Sequence, residues 1–386
     1  MPWVEILKFA LIFLFPPLMV PVLIWMERKL IADFQQRIGP NRVGPFGLLQ
    51  PIADGLKLLL KEDIVPVGVD KVVYTLAPLV AMTPALMVFA VVPFSDKIII
   101  SDLNIAVLYI LGLSSLGVYG VVLAGWGSNS KYSLLGALRS AAQMISYELP
   151  MGAALIGPVL LAGSLSLKGL VQWQIQHGPL LWYQPVAFVI LLCAAVAEVN
   201  RAPFDLPEAE TELVAGFHTE YSGFKFAMFF LAEYANMLGV SALAISVFLS
   251  GWQGPHFLPG RLAIVTPLFW FMVKLMAFMF LFMWLRATFP RLRYDKLMRF
   301  GWLRLLPLAL LSLTLTALVA AYSPAPSQKG GFTNFVVGAA PYFAANVALA
   351  GAWALWFQLA RRRRVRQAPS GGTSSQPATP ALAGSR

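Results

Sequence analysis

Nine stretches of this chain run uncharged, or nearly so, for 18 residues or more: 9–26, 72–94, 103–126, 141–163, 180–197, 226–251, 262–285, 305–322 and 335–360. Segments of that length and character have few folding options. A bilayer core about 30 Å thick is crossed by roughly 20 apolar residues in helical form. Inside it every backbone N–H and C=O must be satisfied within the protein, which leaves helices or closed barrels. Barrel strands alternate in polarity every second residue, whereas these runs are apolar throughout. The chain has 386 residues, of which 58% are hydrophobic and 12% charged, a balance foreign to a water-soluble globule. The expected fold class is all-α, a polytopic integral membrane protein with about nine transmembrane helices.

The first stretch has Glu5 and Lys8 ahead of it, Pro16, Pro17 and Pro21 inside it, and no small-residue cleavage site after it. It reads as a kinked membrane helix rather than a removable signal peptide. After it comes "RIGPNRVGPFGLLQPIADGLKLLLKED", two Gly-Pro turns followed by a helical pattern. Gln50, Asp54, Lys57 and Lys61 recur at steps of four, three and four, with leucines on the other face. That stripe suits an amphipathic helix lying in the membrane surface, either the wall of a lipid-fed cavity or a simple anchor.

Twenty-three of the 29 Lys and Arg residues fall in the segments after the first, third, fifth, seventh and ninth stretches; five fall on the other side and Lys274 lies within a span. The positive-inside rule then predicts an outer amino terminus and a cytoplasmic carboxyl terminus. The same bias accounts for the net charge of +11 without nucleic acid. "RRRRVR" at 361–366 reads as a stop against the anionic inner leaflet. The expected organisation is one transmembrane domain over 1–360 and a disordered basic cytoplasmic tail over 361–386, rich in Ser, Gly, Pro and Ala.

Cys193 is the single cysteine, and His177, His218 and His256 are scattered without metal-ligand spacing. The sequence thus offers no cysteine-held iron–sulfur cluster, no metal motif and no Gly-rich phosphate loop. Redox or nucleotide chemistry is expected on other chains.

Three full charges lie within the apolar stretches: Glu148, Glu233 and Lys274. Ionisable groups at membrane depth are costly and usually pair or line an ion route; the plain alternative is an inert buried pair. Between the fifth and sixth stretches runs "EVNRAPFDLPEAETELVAGFHTEYSG". It places six acids, Glu198, Asp205, Glu208, Glu210, Glu212 and Glu220, against one base, Arg201. Crowded carboxylates near a low-dielectric surface raise one another's pKa, which would make this loop a proton buffer. Pro203 and Pro207 force a non-helical turn. A solvated acidic loop is the plain alternative, yet such loops seldom space Pro, Phe and Leu among their acids.

Together "MERK" (26–29), "RIGPNRVGPFGLLQPIADGLKL" (37–58), the acidic motif, "FLAEYANM" (230–237) and "LRATFPRLRYDKLM" (285–298) resemble the quinone-site membrane subunit of respiratory complex I, the proton-pumping NADH:quinone oxidoreductase. The resemblance implies a subunit without its own redox centre that joins the membrane arm to the peripheral arm and forms much of a narrow passage for the quinone, its substrate. FMN and iron–sulfur clusters are then held by partner subunits; the small membrane subunits and antiporter-like subunits are further partners. Glu27, Glu148, Glu198, Asp205, Glu208, Glu210, Glu212, Glu220 and Glu233 match acids of the family's coupling loop and polar route. Arg28, Asp54 and Arg286 match positions lining the passage. Lys274 matches a membrane lysine, either a partner for a glutamate or part of the route, and Arg201 is expected to pair with one of the acids. The segment 286–304 suits docking against peripheral subunits as well as anchoring. A bacterial cytoplasmic membrane is expected.

Two other readings stay open at this point. A related membrane subunit of an energy-converting hydrogenase or ferredoxin-linked dehydrogenase shares the layout, although the full acidic motif and "RIGPNRVGP" favour a quinone-using complex. An independent secondary transporter would show an inverted repeat, and none is visible in the sequence.

Overall fold

The computed structural model describes residues 2–205, 215–255, 265–322 and 332–367, and among them every regular element is helical. In chain order these are α1 (Pro2–Phe34), α2 (Gln50–Leu60), α3 (Lys71–Met87), α4 (Ala106–Gly127), α5 (Lys131–Ala162), α6 (Leu167–His177), α7 (Leu180–Tyr183), α8 (Pro185–Glu198), α9 (Gly223–Phe248), α10 (Val265–Thr288), α11 (Tyr294–Phe300), α12 (Leu306–Tyr322) and α13 (Phe332–Gln367). Eight helical runs among the described residues are long and apolar enough to cross a membrane. They correspond to eight of the nine apolar stretches, and the all-α membrane architecture holds.

The fifth stretch is the exception in detail. It divides into α7 and the 14-residue α8 at Gln184, whose φ of −139° and ψ of 62° leave the helical region. Pro185 explains the break, because its ring disfavours the α conformation in the preceding residue. At 1.5 Å per residue α8 is only about 21 Å long, short of the bilayer core. Glu198, its last residue, is thereby drawn into the protein and is only 7% exposed.

α9 is the most enclosed of the long apolar helices, 78% buried along its most apolar part against 22% for α1. The helix carrying Glu233 is therefore the centre of the bundle, and α1 lies at its periphery. Close packing around the centre depends on small residues, as is usual in membranes, where hydrophobicity gives helices no reason to prefer each other over lipid. A Cβ on Gly120 of α4 would sit 2.6 Å from the Ala81 backbone nitrogen of α3, so only glycine allows that approach. Asp70 caps α3 by accepting from the backbone N–H groups of Val72 and Val73 at 3.1 and 3.3 Å.

The chain resolves into compact units Met1–Val347 and Ala348–Arg386. The second contains the carboxyl-terminal part of α13, where Trp353 and Trp356 stack with centroids 5.3 Å apart. The helix continues through the basic run to Gln367, and the remainder of the expected tail, 368–386, lies outside the described residues.

Candidate functional site

α8 ends in a Schellman turn that decides where the acidic motif goes. Asn200 takes a left-handed φ of 55°, the Arg201 N–H reaches the Val196 carbonyl at 3.3 Å, and the Asn200 N–H reaches the Ala197 carbonyl at 3.3 Å. Asparagine tolerates that backbone where a branched residue would not. The Gln143 Nε2 group of α5, fully buried, donates to the carbonyls of Ala197 and Phe204, both at 2.7 Å. The turn is thus pinned to the bundle on either side of Arg201.

Arg201 is 6% exposed and lies among groups from three other places in the chain. Its Nη1 is 3.2 Å from Glu27 Oε1 of α1, and its Nε is 2.6 Å from Glu233 Oε1 of α9. Its guanidinium stands 4.4 Å from the centre of the Tyr234 ring, a cation–π placement. Tyr234 also donates from its hydroxyl to Glu27 Oε2 at 2.6 Å. Arg286 of α10 completes the group by pairing with Glu27 Oε1. Two carboxylates and two guanidiniums are thereby brought together from four segments distant in sequence, with Glu27 only 5% exposed. Buried charge is tolerated when it is compensated and hydrogen-bonded in this way.

Beside this cluster lies a cavity of about 60 Å³ whose lining includes Glu233, Glu198, Asn200, Asn236 and His218. A smaller one of about 20 Å³ shares Glu198 and Asn236 with it and reaches Ser114 on α4. A water needs on the order of 10–15 Å³ and a few polar partners, so both have room for water. Glu198 Oε2 is buried with no hydrogen-bond partner among the described residues, as a carboxylate facing such a space would be. Ser114 and its neighbour Ser115 both reach the Leu111 carbonyl, at 2.9 and 3.1 Å, and the Ser115 hydroxyl is also in hydrogen-bond contact with Glu148 of α5. Glu233 and Glu198 thus line one water-sized space, and Ser114, in the second, is the sequence neighbour of the serine that contacts Glu148.

The far end of the acidic loop is held separately. Gly216 and Phe217 pack against Gly136 of α5, where a Cβ would approach the Gly216 Cα to 2.7 Å. Tyr221 and Tyr74 stack with centroids 4.2 Å apart, and the Tyr74 hydroxyl donates to the Glu220 carbonyl at 2.7 Å. Burial among Phe217, Phe226 and Phe229 pushes the His218 imidazole down to about 3, so it is neutral. Asp205 and Glu220 are half-buried at the two ends of the loop, while Glu208, Glu210 and Glu212 fall in 206–214, outside the described residues.

A second feature adjoins the end of α1. Arg28 Nη1 lies 2.5 Å from Asp54 Oδ2 of α2, and Gln50 Nε2 donates to Asp54 Oδ1 at 3.3 Å. Burial works to raise the Asp54 carboxyl, but the Arg28 guanidinium outweighs it and holds the group below the usual carboxylate range. Around them an open basin of about 780 Å³ is lined by Arg28, Arg37, Arg42 and Gln50 among others. The tight loop shaping the basin needs Gly47, at φ 77°, where a Cβ would run into the Pro40 carbonyl. Ile52, Leu56, Leu59 and Leu60 of α2 are exposed, the apolar stripe an interfacial helix requires.

Of the sequence-predicted residues, the structure gathers Glu27, Arg201, Glu233 and Arg286 in one cluster, Glu198 and Glu148 along the cavities, and Arg28 with Asp54 at the basin. Arg286 therefore belongs to the charge cluster through Glu27 rather than to the basin. Lys274 is elsewhere. Its ammonium donates to the carbonyls of Leu249, Gly251 and Gln253 at 2.7, 2.8 and 2.7 Å, which uses all three of its protons at the end of α9. Sixteen residues of helical rise separate Leu249 from Glu233, about 24 Å. Tyr234, Asn236, Ser114, Ser115 and Gln143 were not singled out by sequence reasoning, and His218 was read only as a histidine without metal-ligand spacing. The only signals were Tyr and Asn beside and three residues beyond the glutamate of "FLAEYANM", and a Ser pair inside an apolar run.

A family model described as NADH dehydrogenase matches residues 7–317. The NADH-quinone oxidoreductase H subunit of Dehalococcoides mccartyi (strain CBDB1) is 53% identical over 324 residues, covering 83% of this chain and 89% of the relative. In Koribacter versatilis (strain Ellin345) the NADH-quinone oxidoreductase H subunit numbered 2 is 50% identical over 344 residues, covering 82% and 97%. The corresponding protein of Thermomicrobium roseum (strain ATCC 27502 / DSM 5159 / P-2), also an NADH-quinone oxidoreductase H subunit, is 53% identical over 313 residues, covering 76% and 89%.

Proposed function

The chain belongs to the family of NADH-quinone oxidoreductase H subunits, membrane components of complex I, and from that premise we propose that it walls the membrane part of the quinone passage and couples quinone reduction to proton movement through Glu27, Glu233, Glu198 and Glu148. Membership leaves the transporter alternative without support. The observation that carries the reading is the buried cluster of Glu27, Arg201, Glu233 and Arg286, which adjoins the cavities leading past Glu198.

A quinone arriving from the bilayer passes the exposed apolar stripe of α2 and reaches the basin where Arg28 and Asp54 pair. Its head is reduced at a peripheral partner that carries the terminal iron–sulfur cluster, FMN lying further up that arm. Two electrons arrive with two protons still to be taken up. At an effective dielectric of about 20, a unit negative charge about 10 Å from a carboxylate changes its protonation free energy by ~1.7 kcal/mol. That is more than a tenfold change in protonation. Arg201, shared between Glu27 and Glu233, is the element able to respond. Drawn toward one carboxylate, it leaves the other to take a proton from the cavity. Glu198, continuous with the acidic loop, supplies that proton, and the loop acids Asp205, Glu208, Glu210, Glu212 and Glu220 replenish it from the cytoplasmic side. Glu148 passes the change onward to the small membrane and antiporter-like subunits.

The test uses the assembled complex in membrane vesicles carrying Glu198→Gln or Glu233→Gln. NADH oxidation by a hydrophilic artificial acceptor should be unchanged, because that reaction stays in the peripheral arm. NADH-to-quinone turnover and the coupled proton gradient should fall about a hundredfold or more, the loss typical of one proton-transfer partner. Wild-type turnover and pumping in both variants would defeat the route. Asp54→Asn should instead raise the quinone KM with less effect on kcat, which separates access from coupling.

A further inference from the structure

A fourth concavity, of about 500 Å³, opens between α8 and α10 and shares no lining residue with the Glu198 cavities or the Arg28 basin. Val189, Leu192, Cys193 and Val196 fall on one face of α8, and Leu281 and Leu285 face them from α10. The upper wall is built from two non-helical pieces, Pro203–Phe204 and 289–292, tied by the Leu292 N–H donating to the Pro203 carbonyl at 3.0 Å. Apart from the thiol of Cys193, which behaves as a small soft hydrophobe, all the lining side chains are hydrocarbon.

The rim is of opposite character. Arg291 lies between the lining residues Pro290 and Leu292, is exposed, and has no ion pair among the described residues. Arg293 is also exposed, its side chain at 77%, and only its 3.4 Å contact with Asp295 tempers it. Across 286–304 six bases face a single acid. An apolar slot in the membrane with a cationic rim calls for an amphiphile with a long hydrocarbon part and an anionic head.

We infer that this cleft holds an acyl chain of an anionic phospholipid whose phosphate is bound at Arg291 and Arg293. The volume is in the range of small-molecule sites. A quinone head would find no donor or acceptor in the lining. A helix about 10 Å across occupies on the order of 400 Å³ per turn, so the cleft would take about one turn of a partner helix. A flexible chain fills it along its length. The bound lipid would brace the junction of α8 with the Arg201 turn, since Val196 and Phe204 lie on both the cleft wall and that turn.

Cys193, the single cysteine of the chain, reports on occupancy. The experiment follows its alkylation by a hydrophobic maleimide in the purified intact complex, read from the mass of the Cys193 peptide. It is run after detergent delipidation and again after adding back phosphatidylglycerol or phosphatidylcholine. Delipidation should expose the thiol, and phosphatidylglycerol should slow alkylation about tenfold more than phosphatidylcholine, as expected for two arginines near an anionic headgroup. Arg291→Ala with Arg293→Ala should erase that difference. Val189→Trp, at a position already 56% exposed, should block the slot without lipid and lower the phosphatidylglycerol retained. Equal protection by both lipids would overturn the proposal. So would a thiol still shielded after delipidation, which would assign the slot to a partner segment, or protection by a quinone analogue but not by phosphatidylglycerol.

Discussion

At the scale of single residues, Arg201 has the most distinctive position. A guanidinium is a rigid planar fork, and here one fork serves Glu27 and Glu233 at 3.2 and 2.6 Å while its face meets Tyr234. An ammonium is a point charge and cannot span the same two carboxylates. Arg201→Met should cost about 3–5 kcal/mol, the usual penalty for breaking a buried pair by removing one partner. Arg201→Lys should fall between it and the wild type. The thermal dissociation midpoint of the purified complex checks the order, and a lysine variant as stable as the wild type would show that the fork is not needed. His218 makes a different prediction. Buried among phenylalanines, it stays neutral down to about pH 3, whereas in an unfolded chain it gains a proton near its ordinary value of 6.5. Stability is therefore unaffected above about pH 6.5 and declines as pH falls from there toward 3, because the unfolded state takes a proton that the folded state refuses. Between pH 7 and 5 the wild type should lose about 2 kcal/mol more than His218→Phe. Parallel denaturation curves for the two proteins at both pH values would contradict this.

At the scale of elements, α9 is held at its two ends by different chemistry. Near its start Lys225 pairs with Asp63 at 2.8 Å and stands 4.8 Å from the Tyr74 ring centre. At its far end Lys274 of α10 collects three carbonyls of the turn 249–253, where Ser250 and Gly251 both have positive φ. Last-turn carbonyls left without a donor at membrane depth are costly, about 1–3 kcal/mol each. Lys274→Met should therefore speed amide hydrogen exchange at 249–253 and lower stability. A charge acting from about 24 Å away contributes only ~0.7 kcal/mol at an effective dielectric of about 20. Quinone-linked turnover should accordingly fall far less than in Glu233→Gln. Equal losses of turnover in the two variants, with unchanged exchange at 249–253, would return Lys274 to the proton route.

At the scale of the whole molecule, the parts of the fold legible in the sequence were those set by one-dimensional pattern. Uncharged runs of about 20 residues announce spans whatever they pack against, and the four-three-four spacing of Gln50, Asp54, Lys57 and Lys61 announces α2. The pairing partners were not legible, because Glu27, Arg201, Glu233 and Arg286 meet through tertiary packing of four separate segments. Ser114 and Asn236 matter through the cavities they face and Ser115 through its contact with Glu148, and apolar context hides all three in one dimension. The break at Gln184 was legible in principle from Pro185, but the length of the apolar run around it masked the signal. Sidedness is a prediction from charge alone: the Lys and Arg bias of the connecting segments sets the expected orientation through the positive-inside rule. In a Cys193→Ser background, a cysteine placed at Lys131, between α4 and α5, should react with a membrane-impermeant thiol reagent only in inside-out vesicles. One placed at Lys97, between α3 and α4, should react only in right-side-out vesicles. Both positions lie in turns joining spans, outside the regular helices or at their first residue. The reverse pattern would put the Arg28 basin and the acidic loop on the outer face, away from any peripheral arm in the cytoplasm, and the coupling scheme would fail with it.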